Sequence, residues 1–323
     1  MEKTSLIASP IAAEMEQFRT LFSHSLMGDN PLLNAVTEHI MQRSGKMMRP
    51  MLVLLLAKLL GEVNEVTHRA AVSLELLHNA SLVHDDVVDD SDKRRGQLSV
   101  NALFNNKVAV LSGDYLLASA LVQVATSRHL GIIALVSKLG QDLSDGELLQ
   151  LSNIGQENFD ESVYYQVIRK KTAVLFAACT EAAALSVAAD PATVEKARQF
   201  GELIGLCFQI KDDIFDYYDN NIGKPTGNDM KEGKLTLPVL YALNHTADEE
   251  AKSIALRVKR GEATPDEMAY LVEFAKTHGG ITYAEEQMMA LHQQAHSFLE
   301  AYPESPIKTA LQTYLDVVVN RTK

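Results

Sequence analysis

The stretch Leu74-Glu75-Leu76-Leu77-His78-Asn79-Ala80-Ser81-Leu82-Val83-His84-Asp85-Asp86-Val87-Val88-Asp89-Asp90 decides how the rest of the chain is read. Its first part has apolar residues at three- and four-residue steps, the spacing of one helix face. Its end sets four carboxylates in the six positions 85–90. On a helix, Asp85 and Asp89 stand one turn apart on the same face, with Asp86 beside them. Like charges so placed repel and weaken a bare helix, and a cation between them removes the conflict. The pattern returns as Gln209-Ile210-Lys211-Asp212-Asp213-Ile214-Phe215-Asp216, again Asp-Asp-x-x-Asp within an apolar helix. Two such helices running antiparallel would face their acidic residues across a cavity. Mg²⁺ takes oxygen ligands and is commonly held by a few carboxylates plus substrate phosphates. The sequence therefore predicts a helical cavity whose two acidic lips hold Mg²⁺ and a diphosphate.

The surrounding chain reads as helix. Between Pro50 and Pro191 there is no proline, and stretches rich in Ala, Leu, Glu, Gln and Lys fill the interval. Gly28-Asp29-Asn30-Pro31 ends one helix and starts another; Asp190-Pro191 and Thr264-Pro265 read as an N-cap followed by Pro at the first helical position. His278-Gly279-Gly280 breaks two C-terminal helices. No alternating strand pattern or repeat is evident, and one all-α domain over 1–323 is the economical reading. The loops 90–98 and 219–235 follow the two acidic motifs and carry basic residues and glycine, as befits lids over phosphate.

A composition 46% hydrophobic supplies a sizeable core, and the net charge of −12 argues against nucleic acid as a partner. It argues only weakly against a small anion, which needs a local cluster of cations. No run approaches the ~20 apolar residues that span a bilayer. The N-terminus carries Glu2 and Lys3 with no signal-like core, which points to the cytoplasm. Cys179 and Cys207 lie in apolar surroundings without zinc spacing and read as buried thiols.

Beyond the acidic motifs the chain contains Ser44-Gly45-Lys46-Met47-Met48-Arg49-Pro50, Ala109-Val110-Leu111-Ser112-Gly113-Asp114, Lys171-Thr172-Ala173, Phe208-Gln209, and Gly223-Lys224 through Gly233-Lys234-Leu235-Thr236-Leu237-Pro238. Taken together and in this order, these motifs resemble the trans-prenyl diphosphate synthases, specifically the long-chain, octaprenyl-type members. The resemblance covers nearly the whole chain. It implies the isoprenoid synthase fold, a single-domain helical bundle with a central apolar cavity. It also implies head-to-tail condensation of isopentenyl diphosphate onto an allylic diphosphate.

By that resemblance, Asp85, Asp89 and Asp212 hold the allylic diphosphate through Mg²⁺, supported by Asp86, Asp213 and Asp216. Arg94, Lys171, Lys224 and Lys234 contact its phosphates, while Thr172 and Gln209 present oxygen dipoles to the allylic cation. Isopentenyl diphosphate must bind without ionising, and its site is implied to be Lys46, Arg49, His78 and Arg95. The family's Gly-Gly-Lys-Arg is changed here, with Ser44 for the first Gly and Met47 for the Arg, although Lys46 and Arg49 keep their spacing. Ala80 and Ser81, just over one turn before Asp85, stand where short-chain synthases often place a large aromatic. Small residues there leave a product tunnel open, so a long polyprenyl chain for quinone side chains is expected. A shorter farnesyl or geranylgeranyl product is the alternative. The resemblance also implies a homodimer, and release of so apolar a product leaves room for peripheral membrane contact.

Other classes compete less well. Glu65-x-x-His68 and Glu75-x-x-His78 match the signature of di-iron carboxylate bundles, but that site needs the two motifs on different helices. A non-catalytic partner subunit would have lost its acidic residues, and both motifs are complete. A terpene cyclase would not need the second set of Lys, Arg and His.

Overall fold

Helix boundaries fall where the capping chemistry puts them. The computed structural model describes residues 2–42, 45–94, 96–153, 158–218 and 227–321. In chain order the elements are α1 (Glu2–Ala8), a 3₁₀ turn (Ser9–Ile11), α2 (Ala12–Leu26), α3 (Pro31–Met41), α4 (Met48–Leu60) and α5 (Glu65–Val88). A short pair of strands, β1 (Lys93–Arg94) and β2 (Gln97–Leu98), precedes α6 (Val100–Leu103), α7 (Asn106–Ser127), α8 (Leu130–Asn153) and α9 (Glu161–Ile168). A π-helical turn (Arg169–Ala173) leads into α10 (Val174–Ser186), α11 (Pro191–Phe215), α12 (Asn228–Lys231) and α13 (Leu237–His245). The chain ends with α14 (Glu249–Lys259), α15 (Pro265–Thr277), α16 (Gly280–Glu300) and α17 (Pro306–Asn320). The expectation of an all-α chain holds: β1 and β2 are antiparallel and are the only strands among the described residues.

The proline and glycine signals are borne out. Asn30 caps α3 by accepting from Leu32 N at 2.9 Å, and Asp190 accepts from Ala192 N at 3.0 Å at the start of α11. Thr264 and Glu267 form a reciprocal capping box at α15, and Gly279, at φ +78°, separates α15 from α16.

The described residues group into two compact units. One comprises Met1–Gln141, Leu175–Gly201 and Phe298–Tyr314; the other comprises Asp142–Val174, Glu202–Ser297 and Leu315–Lys323. In the first, α4 is apolar all round, and Met51 to Ala57 are each at most 1% exposed, as befits a helix at the centre of a core. Helix α5 starts with its own capping box, Asn64 Oδ1 accepting from Thr67 N and Thr67 Oγ1 from Asn64 N, each at 3.2 Å. Asn64 Nδ2 also donates to Ser186 O at 2.8 Å, which ties this end of α5 to the end of α10. Along its length α5 packs on α7, with Ser73 Oγ donating to Ala120 O at 2.9 Å. Near the acidic end, Gly113 makes room for the His84 side chain: a Cβ there would lie 2.2 Å from its Nε2.

In the second unit the same device recurs. A Cβ on Gly205 of α11 would lie 2.4 Å from Ala173 Cα in the π-helical turn, and one on Gly146 of α8 would lie 3.0 Å from Lys171 N. Helices α13 and α16 meet at Gly280, where an added Cβ would stand 2.1 Å from Pro238 O. The thiols of Cys179 and Cys207 are buried, as expected, and burial pushes both up to about 12.

Helix α7 is long and apolar enough, by length and composition, to cross a membrane, although Lys107, Asp114 and Gln123 interrupt its apolar run. Its exposed apolar residues Val110, Leu111, Leu121 and Val122 lie within one arc of the helix surface.

Gly113→Ala should force the His84 ring out of its place one residue before Asp85. Because that ring ends a partly exposed side chain, and Ala favours a helix interior over Gly by ~1 kcal/mol, denaturant unfolding is expected to show a change within ~1 kcal/mol. A loss of several kcal/mol would mean that the His84 ring cannot move aside.

Candidate functional site

In the first unit, the carboxylates of the first motif occupy the last turn of α5. Asp89 is the C-cap residue, its N–H donating to Asp85 O at 2.8 Å, and the last turn contains no basic residue. Asp86 is buried, at 3% exposed, and Arg94 of β1 answers its charge: Nη2 lies 2.6 Å and Nε 2.8 Å from Oδ1. The β1–β2 pair therefore folds a basic residue back onto the acidic helix end. Arg94, assigned by resemblance to a phosphate, is bonded here to Asp86. Arg49 lies at the start of α4 with its guanidinium 5.0 Å from the Phe176 ring centre, and its buried Nε has no hydrogen-bond partner. Such an N–H is suited to an incoming phosphate oxygen. Lys46 is exposed just before α4, and His78 and Ala80 are buried on α5, with Ser81 half-buried. Both Glu-x-x-His motifs lie on α5 alone, and His68 bonds backbone carbonyls of Asn64 and Glu14 at 3.0 and 3.2 Å. The two-helix di-iron arrangement is thus ruled out for that pair.

In the second unit, a cavity of about 180 Å³ gathers Lys171, Thr172, Gln209, Asp213 and Lys234, all of them named from sequence. A single hydrogen-bonded chain fixes four groups. Thr172 Oγ1 donates to Gln209 Oε1 at 2.6 Å, Gln209 Nε2 donates to Asp213 Oδ1 at 2.7 Å, and Tyr164 OH donates to Asp213 Oδ2 at 2.6 Å. The π-helical turn shifts the helix register and, fitted against Gly146 and Gly205, carries Lys171 and Thr172 to this cavity. Lys171 Nζ meets Glu147 Oε2 at 2.6 Å, and Lys234 pairs with Glu232. The cavity does not include Ala80 or Ser81. Arg95 and Lys224 lie outside the described residues, as does Ser44.

The second motif also occupies a helix end without a basic residue in its last turn, that of α11. Asp216 accepts from Asn228 N and Asp229 N, each at 3.1 Å, at the start of α12. Asp212 Oδ1 is 2.9 Å from Arg321 Nη2, whose guanidinium lies 3.9 Å from the Phe208 ring centre. Burial, and then the charge of Asp229, hold the Asp213 carboxyl well above its ordinary value. Burial, and then Asp216, raise Asp229 to about 7, with Lys234 opposing. Burial and Asp213 also raise Tyr164, which keeps its proton and so remains a donor.

Several of these groups were missed from sequence. Asp229 follows Gly227-Asn228 in what reads as a loop, Tyr164 sits in an ordinary amphipathic helix, and Lys259 ends α14 with its Nζ on Asn158 O at 2.9 Å. All three line the cavity. Arg321 follows an apolar run and carries no local signal.

The donor set fits a hard divalent ion. Each motif offers only carboxylate oxygens, and each stands at the negative end of a helix dipole, where anions are disfavoured. In the second unit burial raises Asp213 and Asp229 first, and the neighbouring carboxylates add to it.

Comparison with known proteins agrees. A family model described as polyprenyl synthetase matches residues 30–275. The chain is 34% identical to an octaprenyl diphosphate synthase of Haemophilus influenzae, over 95% of this chain and 94% of that one. It is 33% identical to an all-trans-nonaprenyl-diphosphate synthase (geranyl-diphosphate specific) of Rhodobacter capsulatus, over 98% and 97%. Among solved structures, a geranylgeranyl pyrophosphate synthase from Bacteroides thetaiotaomicron matches with a TM-score of 0.89 and 56% identity, covering 99% of this chain and 100% of that one. A polyprenyl synthase from Caulobacter crescentus, complexed with calcium and isoprenyl diphosphate, matches with a TM-score of 0.91 and 30% identity, covering 98% of each chain.

Gly205→Ala should push α11 off the π-helical turn and break the Thr172–Gln209 bond. Denaturant unfolding should show a loss of ~1–3 kcal/mol, and a structure of the variant should show the bond lengthened past hydrogen-bonding distance. An intact bond in that structure would remove Gly205 from the account of the site.

Proposed function

The chain belongs to the polyprenyl synthetase family and is a prenyltransferase, and we propose that Asp85, Asp89 and Asp212 hold the divalent ion through which it grips an allylic diphosphate. Its all-α architecture is the isoprenoid synthase fold, and it condenses isopentenyl diphosphate head-to-tail onto an allylic primer. Divalent metal is general in the family; Mg²⁺ is the ion proposed here, with Asp86, Asp213 and Asp216 supporting its ligands. The observation that carries the reading is the placing of both acidic motifs at helix ends that hold no basic residue in the last turn. When bound, the ion offsets the charge that develops on the departing diphosphate.

The chain's own residues do the rest. Lys171 and Lys234, with Arg94 and Lys224, take the phosphate oxygens of the allylic substrate. Each of the three described cations has a carboxylate partner, Glu147, Glu232 or Asp86, which holds it until phosphate displaces it. Thr172 donates a hydrogen bond to Gln209, so its oxygen lone pairs turn elsewhere. That suits it to face an allylic cation as a neutral dipole. Lys46, Arg49, His78 and Arg95 hold isopentenyl diphosphate with positive charge alone, which leaves that diphosphate un-ionised. The attack of its double bond is followed by proton loss, for which the released pyrophosphate serves as base.

One catalytic domain over 1–323, located in the cytoplasm, accommodates these assignments. Homodimerisation is supported by the exposed apolar arc on α7, where Leu111 is 68% and Val122 60% exposed. Sedimentation of the purified chain at twice the monomer mass is the expected result, and a monomer at micromolar concentration would remove the arc as a dimer surface.

A long product is supported by the small residues Ala80 and Ser81 and by the named octaprenyl and nonaprenyl relatives. The 56% identical structure, named a geranylgeranyl synthase, favours a shorter one. Incubation with isopentenyl diphosphate, farnesyl diphosphate and Mg²⁺ decides between them. A ladder rising well past geranylgeranyl is expected; a single geranylgeranyl product selects the second reading, and no elongation overturns both. Ala80→Phe should shorten the ladder while turnover of the first condensation stays within about threefold, a change worth less than ~1 kcal/mol. An unchanged product length in the variant would take Ala80 out of the tunnel.

A further inference from the structure

We propose that His292, His296 and Asp316 form a second metal site in this chain, one that takes a d-block divalent ion such as Zn²⁺. The two histidines stand four residues apart on α16 and so share one face, while Asp316 comes from α17. One ligand atom from each of the three lies within 4.8 Å of the others. Asp316 Oδ1 sits between the two rings, 3.4 Å from His292 Nε2 and 3.7 Å from His296 Nε2. Both separations exceed the ~2.7–2.9 Å of an imidazolium–carboxylate hydrogen bond. They are close to the ~3.3 Å that separates ligand atoms around a tetrahedral ion with bonds of ~2.0–2.1 Å.

A second observation points the same way. His292 is 9% exposed, and its Nε2 is buried without a hydrogen-bond partner. A buried, unpartnered ring nitrogen is costly to keep, and Asp316 Oδ1, 3.4 Å away, does not satisfy it with a hydrogen bond. The ring centres of His292 and His296 are 4.8 Å apart with planes 64° from parallel, so the rings converge without stacking. His296 and Asp316 are more open, with side chains 30% and 51% exposed, which gives an ion a route in and leaves a fourth position for water. Imidazole nitrogen selects a softer ion than the all-carboxylate motifs do, so Zn²⁺ and Mg²⁺ sort between the two kinds of site.

Such an ion would clip α16 to α17. Just past the end of α17, Arg321 is bonded to Asp212 and to Phe208 O, so the clip would hold the helix that carries this contact.

The test uses the full-length chain, stripped of metal and then kept in excess Mg²⁺ so that the carboxylate motifs are filled. Zn²⁺ is titrated against a chromophoric chelator. One Zn²⁺ per chain is expected, with affinity falling ~10-fold or more in both His296→Gln and Asp316→Asn, at least the loss typical of disturbing a ligand's support. Both variants replace partly exposed side chains and should elongate prenyl chains in Mg²⁺ as the wild type does. Unchanged Zn²⁺ affinity in either variant, or no Zn²⁺ bound by the wild type, overturns the proposal. Co²⁺ added to the wild type supplies a check that needs no variant. The intense visible bands of a tetrahedral site with nitrogen ligands support the assignment, and the weak spectrum of an octahedral oxygen site overturns it.

Discussion

Both acidic motifs stand where a helix is least able to hold them. The C-terminal end of a helix carries roughly half a negative charge, and an anion placed there costs ~0.3–1 kcal/mol, with ~0.2–0.5 more for a like-charged neighbour one turn away. Against this, α5 buries Val72, Leu74, Leu76, Leu77 and Val83, each contributing ~1.5–3 kcal/mol. Packing wins by several-fold, so α5 keeps its form up to Val88 and carries its charges at a fixed place. A divalent ion held there, as proposed, would reverse the sign of the local term and make a ligand set of the weakest part of the helix. A chain whose buried faces were poorer would fray at that end first and lose the site with it.

The second motif is held by different means. Asp213 is buried, and taking a carboxylate out of water is costly unless hydrogen bonds replace the lost hydration. Tyr164 and Gln209 supply two, each worth ~0.5–1.5 kcal/mol. Gln209 can donate to Asp213 only while its own oxygen faces Thr172, so the carboxylate orients the amide, and the amide in turn orients the hydroxyl. That geometry rests on two helix-interior glycines, Gly146 and Gly205, which have no part in the chemistry and whose missing side chains admit the π-helical turn.

The sequence made the periodic features and the charged motifs legible. Asn30, Asp190 and Thr264 announced helix starts because capping is local, and the acidic motifs announced themselves because four carboxylates in six positions conflict with helix stability. Lys171, Thr172, Gln209 and Lys234 were reached through motif resemblance, and the cavity assembles them. What stayed hidden was what only the fold brings near. Gly146 and Gly205 sit mid-helix, where a glycine looks like a weak propensity choice; the backbone pressed against each comes from another segment. Asp229 reads as a polar loop residue until its burial beside Asp213 and Asp216 is seen. The His292-x-x-x-His296 spacing is written in the sequence, but Asp316, a helix away, is recognisable only once α17 is laid on α16.

A chain of net charge −12 that binds two diphosphates must solve its electrostatics locally. The proposed assignments make the solution an exchange of partners. Lys171, Lys234 and Arg94 are each held by a carboxylate, so phosphate binding at them would be worth the difference between two ion pairs and not the full worth of a new one. Each carboxylate so released adds its negative charge to a site that an anion has just entered. Without further positive charge, that exchange would come out close to neutral or unfavourable. A divalent ion held on the acidic motifs, as proposed, would supply the difference where the departing diphosphate gathers charge. On that reading a metal requirement would follow from the pairing of the cations as much as from the carboxylates themselves. An enzyme with the same acidic motifs but unpaired lysines would bind its substrate tightly in the ground state and gain less in the transition state.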